Sequence, residues 1–274
     1  MDRKNQWIFV RGGGDIATGT IHKLYRSGYP VLILEIENPS AIRRQVAFSE
    51  AVYDGESQIE GVTCVRVSSF EEAKTAIKED KIPLLIDARC DILKKVKPWA
   101  VVDGILAKKN LGTNRAMAKK TIGLGPGFVA GKDVDIVVET MRGHNLGRII
   151  EEGMATPNTG IPGVIAGYGK ERVLHAECAG RLYGKVKIGD TVEKNQVIAV
   201  IRDGENEVEV KASLTGLVRG LIRDGYAVTK GFKIADIDPR QSEYKNCFTI
   251  SDKARCIAGA VLEGLLYLEK KQGE

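Results

Sequence analysis

Short apolar runs alternate with amphipathic stretches along the first half of the chain. Trp7–Arg11 reads as a buried strand that runs straight into Gly12-Gly13-Gly14-Asp15-Ile16-Ala17. Ile16, Gly19/Thr20, Leu24 and Ser27 then recur at three- to four-residue spacing, which predicts a helix that Gly28 stops. Val31–Glu35 is the next strand. Val62–Val67, Pro83–Asp87 and Ala100–Asp103 follow as further strands. Ser68/Ser69, with Glu71 and Glu72 behind them, predict a capped helix running to about Asp80. Near the carboxyl terminus, Ile257, Val261, Leu265 and Leu268 form one apolar stripe on a helix over about 252–270, with Ser251 as its cap.

Strands alternating with helices predict an α/β fold built on a Rossmann-like parallel sheet. Gly12-x-Gly14-x-x-Ala17 matches the phosphate fingerprint of that fold. Gly12 allows the tight turn, Gly14 lets backbone approach a pyrophosphate, and Ala17 lets the helix sit close to the strand. Gly13, Asp15 and Ile16 complete the loop. The helix start offers free N–H groups and a positive dipole end to phosphate. Asp15 repels phosphate and is read as a cap of that helix. Glu35 lies 21 residues beyond Gly14, at a strand end, where a carboxylate would accept from a ribose hydroxyl and favour NAD over its 2′-phosphate form. Asp87 and Asp103 end later strands and join the candidate cofactor-binding residues, because ligands of open α/β sheets bind beyond the carboxyl ends of strands. Loop carboxylate or helix cap is the plainer reading of both.

A second region changes character. Residues 176–240 contain an internal repeat, Gly189-Asp190-x-Val192-x-Lys194…Ile198-Ala199-x-Ile201 against Gly225-Tyr226-x-Val228-x-Lys230…Ile234-Ala235-x-Ile237. Short strands at even spacing with Gly and Asp turns predict a small all-β module. The pattern resembles the biotinyl/lipoyl-carrier barrel-sandwich. The connection Arg202–Glu207, where a carrier would bear its lysine, has none. The expected division is a Rossmann-like domain over 1–175, the β module over 176–240, and a helical segment over 241–274 that packs back.

Composition adds two facts. Of 274 residues 31 are glycine, and residues 123–169 hold 11 of them. Such density, mixed with Pro, Ile, Leu, Val and Phe, marks ordered loops around a site. The net charge of +5 is mild, but nine basic residues against two acids crowd 89–120, a solvated face or an attractor of phosphorylated ligands. With Trp99 as the one aromatic there, nucleic acid is not expected as a partner. No apolar run approaches the roughly 20 residues that span a bilayer, so no membrane partner is expected and the chain reads as cytoplasmic. Five scattered cysteines and three scattered histidines give neither a disulfide framework nor a metal site. Arg142 and His144, just after a strand over 134–139, are candidate catalytic residues: a guanidinium grips phosphate or carboxylate, and an imidazole moves a proton near neutral pH. Cys247, just before the last helix, is a third candidate, as a thiol whose pKa a helix start would lower.

Five strings give the chain a resemblance to accessory proteins of selenium-dependent molybdenum hydroxylases. They are Arg11–Gly19, Gly123–Phe128, Glu139–His144, Pro157–Gly163 and Cys247–Lys253. The resemblance implies a maturation factor that helps place selenium or the molybdenum cofactor into a client hydroxylase. The implied ligands are NAD or a molybdopterin-type cofactor, bound as a phosphorylated small molecule, and a homo-oligomer is one expectation. Two other readings stand beside it: an NAD-dependent oxidoreductase of a small molecule, and a non-enzymatic scaffold or redox sensor.

Overall fold

The computed structural model describes residues 3–273. By internal packing the chain divides into two units, one of residues 1–39, 47–158 and 250–274, the other of 40–46 and 159–249. The first holds nine strands: β1 (Ile8–Arg11), β2 (Val31–Glu35), β3 (Glu56–Ile59), β4 (Val62–Val67), β5 (Ile82–Ile86), β6 (Ala100–Asp103), β7 (Lys120–Leu124), β8 (Ile136–Val138) and β9 (Ile149–Ile150). They form one sheet in the order β3-β4-β5-β2-β1-β6-β7-β8-β9. The strands from β4 through β8 are parallel neighbours. The edge strands β3 and β9 pair antiparallel.

Side chains alternate across the sheet, so each face needs its own cover. On one face Ile8, Val10, Ile33, Ile122 and Ile136 pack with α1 (Asp15–Arg26) and with the last helix, residues Asp252–Gln272. On the other, Phe9, Leu32, Leu34 and Val101 pack with α3 (Phe70–Lys78), the short α2 (Ala51–Asp54) lying between in sequence. The last helix is α4. Its stripe Ile257, Val261, Leu265 and Leu268 is buried. Ser69 caps α3 by accepting the Glu72 N–H at 3.2 Å, and the Glu72 carboxylate accepts the Ser68 N–H in return. Ser251 caps α4 by accepting the Ala254 N–H.

The second unit consists of β10 (Val173–His175), β11 (Gly180–Gly184), β12 (Thr191–Val192), β13 (Val197–Asp203), β14 (Asn206–Lys211), β15 (Gly216–Leu221), β16 (Ala227–Val228) and β17 (Lys233–Asp238). They make two four-stranded antiparallel sheets, β10-β17-β15-β12 and β14-β13-β11-β16. The sequence repeat is visible in them as an exchange. The first copy gives its short strand β12 to one sheet and its long strand β13 to the other, and the second copy does the reverse with β16 and β17. Both long strands bury the same apolar positions, Ile198, Ala199 and Ile201 in one, Ile234, Ala235 and Ile237 in the other.

The fold class expected above is therefore corrected. The large sheet is mixed, because the turn at Glu60-Gly61, both residues at positive φ, folds β3 back along β4. Nor is it doubly wound. The chain from β6 to β7 carries one 3₁₀ turn, and that from β7 to β8 has no helix, because glycine- and proline-rich sequence does not sustain one. The missing cover comes from α4, far away in sequence. The β-rich region is two separate antiparallel sheets, and the carrier-like barrel-sandwich name is not kept for it.

Helix α1 meets α4 closely. A Cβ on Gly19 would stand 2.8 Å from the Ala254 Cβ and 2.9 Å from its carbonyl oxygen. Helix propensity favours alanine over glycine by about 1 kcal/mol, whereas overpacking costs about 1–3 kcal/mol. Gly19→Ala should therefore lower the urea midpoint at unchanged slope. A raised midpoint would show that the two helices can move apart freely.

Candidate functional site

The candidate site lies at the carboxyl-terminal edge of the parallel strands. Beyond Arg11 the chain turns at Gly12, whose φ of +86° is a left-handed conformation that suits glycine. Its α-carbon faces Ile105, and a Cβ would come within 3.1 Å of the Ile105 Cα. The Gly13 carbonyl accepts the Ser49 N–H at 2.9 Å and the Thr18 hydroxyl at 3.1 Å. A Cβ on Gly13 would lie 3.0 Å from the Ser49 nitrogen. Ala17 is fully buried, and a Cβ on Gly104 would approach its Cβ to 2.9 Å. Protein neighbours thus account for Gly12, Gly13 and Ala17. They do not account for Gly14. It caps α1 with an ordinary φ of −65° and no side-chain bond, and a Cβ there would meet nothing.

Glu35 braces this turn from below. It is 8% exposed, and its two oxygens accept the Gly13 N–H at 2.7 Å and the Ile36 N–H at 2.8 Å. Burial pushes its carboxyl above the usual range, against the pull of those two bonds. The reading of Glu35 as a ribose acceptor gives way to a carboxylate occupied by its own backbone. Asp15 is the first helical residue, not the cap. Ile16 is half-buried beside it.

Asp103 is 1% exposed at the end of β6. It pairs with Arg11 at 3.1 Å and accepts the Thr113 hydroxyl at 2.5 Å and the Ile105 N–H at 3.1 Å. Arg11 also donates to Thr113 and to the Leu111 carbonyl. This buried ion pair ties β1 to β6 and leaves no carboxylate oxygen turned to a ligand. Asp87 accepts the N–H groups of Asp91 and Ile92, each at 2.9 Å, and so caps a 3₁₀ turn.

Two residues that sequence reasoning passed over complete the site. Glu139, 4% exposed just after β8, accepts the N–H groups of Thr140 and Met141 at 2.7 Å and of Thr156 at 2.8 Å. Burial opposes its charge, but these bonds outweigh it and hold the carboxyl below the usual range. Lys253, at the second position of α4, lies in the field of Asp15, Glu139, Asp252 and Arg142. Burial first, then Arg142, lowers its ammonium pKa against the pull of the three carboxylates. Arg142 itself grips Asp252 with two bonds of 2.8 Å. One signal for Lys253 was present in the sequence: a cation in the first turn of a helix opposes the macrodipole and needs another reason to be there.

The structure thus brings Gly12–Ala17, Glu35, Arg142 and Lys253 into one unit's network. His144 is exposed, with no hydrogen bond or ion pair among the described residues. Cys247 is 1% exposed in the core of the second unit, and burial pushes its thiol up rather than down. Cys64 and Cys90 are buried with thiols likewise raised. No cluster of three or more metal-ligating side chains occurs among the described residues.

No family model matches the chain. Over 264 residues it is 50% identical to the uncharacterized protein YqeB of Escherichia coli (strain K12), an alignment covering 96% of this chain and 48% of that protein. The chain thus spans about half the length of that relative. Among solved structures it is similar to a succinylglutamate desuccinylase from Silicibacter sp. TM1040, 12% identical with a TM-score of 0.26. The ectoine utilization protein EutE (DoeB) of Ruegeria pomeroyi is 12% identical at 0.27, and an aspartoacylase family protein from Mesorhizobium loti 13% identical at 0.29. Each alignment covers 85% of both chains. At these TM-scores the likeness carries neither fold nor activity to this chain. None of these proteins is named as an accessory factor of molybdenum hydroxylases or as a nicotinamide-dependent enzyme. No relative or neighbour supports the expectations of a selenium or molybdenum maturation factor, of an NAD oxidoreductase or of a scaffold or redox sensor, and these are corrected and set aside. For a redox sensor, the raised thiols weigh in the same direction.

The two buried carboxylates should respond oppositely to pH. Glu139 has its native pKa lowered, so its stabilisation is full above the ordinary value of 4.5 and is lost as pH falls through the native one. Glu35 has its native pKa raised, so its contribution is full below 4.5 and is lost as pH rises through the native one. Urea midpoints across acid and neutral pH should show the cost of Glu139→Gln growing with pH and that of Glu35→Gln shrinking. Parallel curves for the two variants would refute the assignment.

Proposed function

We propose that this chain binds a phosphorylated small molecule at the Gly13–Ile16 turn. The first-turn N–H groups of α1 have no acceptors inside the helix and point their positive dipole end at that edge. The single observation that carries the reading is Gly14. Serine, asparagine or aspartate would cap α1 better, by roughly 0.3 kcal/mol. Neither φ nor crowding from protein atoms calls for glycine there. A ligand oxygen approaching the backbone does.

Lys253 supplies the cation. Its ammonium pKa, lowered by burial and by Arg142, would rise again beside a phosphate. Glu139, Asp15 and Asp252 keep that amine charged near its partners. Arg142, held by Asp252, positions Asp252 and adds positive potential. The basic stretch of residues 89–120 favours the approach of anions at long range. The five cysteines are free, as suits a reducing compartment, and no described helix is long and apolar enough to cross a membrane, so a cytoplasmic location fits the reading.

Gly14→Ala separates ligand approach from folding. Its Cβ would meet no protein atom, so the urea midpoint should fall only by the poorer capping of alanine, about 0.5–1 kcal/mol. Calorimetric titration with ADP and with inorganic pyrophosphate should show affinity falling about tenfold or more, the equivalent of 1.4 kcal/mol. Lys253→Met should weaken both probes as well. Unchanged affinity in Gly14→Ala, or no binding by the native protein, would overturn the proposal.

A further inference from the structure

The opposite edge of the same sheet holds a cleft of about 950 Å³. It opens where the parallel strands begin: Trp7 precedes β1, Pro30 precedes β2, Val62 starts β4 and Asp80 lies just before β5. Its volume is at the upper end of that of small-molecule sites. It is separate from the glycine turn, since β1 runs between them.

The charges of its lining are unevenly used. Glu60 is taken by Arg255 at 2.5 Å and by the Ile250 N–H at 2.9 Å. Asp80 accepts the Tyr25 hydroxyl. Lys74 is paired with Glu71 at 2.6 Å. Arg26 and Lys78, the last residues of α1 and α3, make no ion pair among the described residues. The carboxyl ends of the two helices favour cations at those positions. Both carboxylates are thus engaged while two cations are not.

The apolar part of the lining is aromatic. Trp7 and Tyr25 contribute, as does Tyr29, which stacks on Trp99 with ring centres 5.5 Å apart. Tyr29 is 1% exposed, and its hydroxyl has no hydrogen-bond partner. That hydroxyl is buried and unpaired, so the ring edge is held by packing alone.

We propose that this cleft is a second ligand site, for a small organic anion with a planar apolar body. The anion meets Arg26 and Lys78, and the ring system lies along Trp7 and Tyr25. The probe is a naphthalenesulfonate, with naphthalenemethanol as its neutral counterpart, followed by backbone amide NMR shifts. Titration should move Gly28, Gly61 and Asp80 first. The neutral counterpart should bind about tenfold or more weakly, as should the sulfonate to Arg26→Gln/Lys78→Gln. A native urea midpoint in that variant shows it folded. Gly14→Ala should bind the sulfonate unchanged, which keeps this site's test apart from that of the glycine turn. Shifts centred elsewhere, equal binding of the neutral counterpart, or full affinity in the double variant would overturn the proposal.

Discussion

The seating of α1 is the constraint on which the first unit depends. This helix is held close to the loop after β6 by Ala17 against Gly104, and close to α4 by Gly19 against Ala254. Both contacts are narrower than a pair of larger side chains would permit. The helix start is thereby held at the carboxyl-terminal edge of the sheet, and the start of α4 stands with it. Lys253 reaches the field of Asp15 and Glu139 because Ala254, its neighbour, is the contact point.

Charges inside the unit follow the same geometry. Arg11 and Asp103 end adjacent parallel strands, so their side chains meet in a buried pair instead of facing a ligand. Removing one partner of such a pair leaves a lone buried charge, which is far costlier than replacing both. Glu35 and Glu139 each collect backbone N–H groups. They differ in balance: with two N–H groups on Glu35 burial wins, and with three on Glu139 the bonds win. Both act as braces for turns whose own backbone has no ladder to join.

Parts of the fold were legible in sequence because local physics produces them. The apolar runs became β1, β2, β4, β5 and β6, and serine caps with acidic first turns marked α3 and α4. The glycine turn was legible as a turn. Its division of labour was not. Gly12 and Gly13 serve contacts with Ile105 and Ser49, residues that no spacing rule connects to them. Asp87 and Asp103 sit at strand ends as expected, yet their oxygens are spent on a cap and on an ion pair. Lys253 was hidden because it lies more than a hundred residues from Glu139 and nearly the whole chain from Asp15. His144 and Cys247 looked reactive by type, but one is in open solvent and the other is sealed in a core.

Local periodicity, turn chemistry and the repeat over 189–237 were determined by the sequence alone, since each depends on neighbours a few bonds or one turn away. Tertiary structure decided the rest. It made the large sheet mixed by folding β3 back, and it covered one face with a helix from the far end of the chain. It assigned the repeat's strands to opposite sheets. It also converted expected ligand-binding carboxylates into structural ones. For the carboxylates the reason is that a buried polar group takes whatever partner the fold brings near it, and that partner is seldom close in sequence.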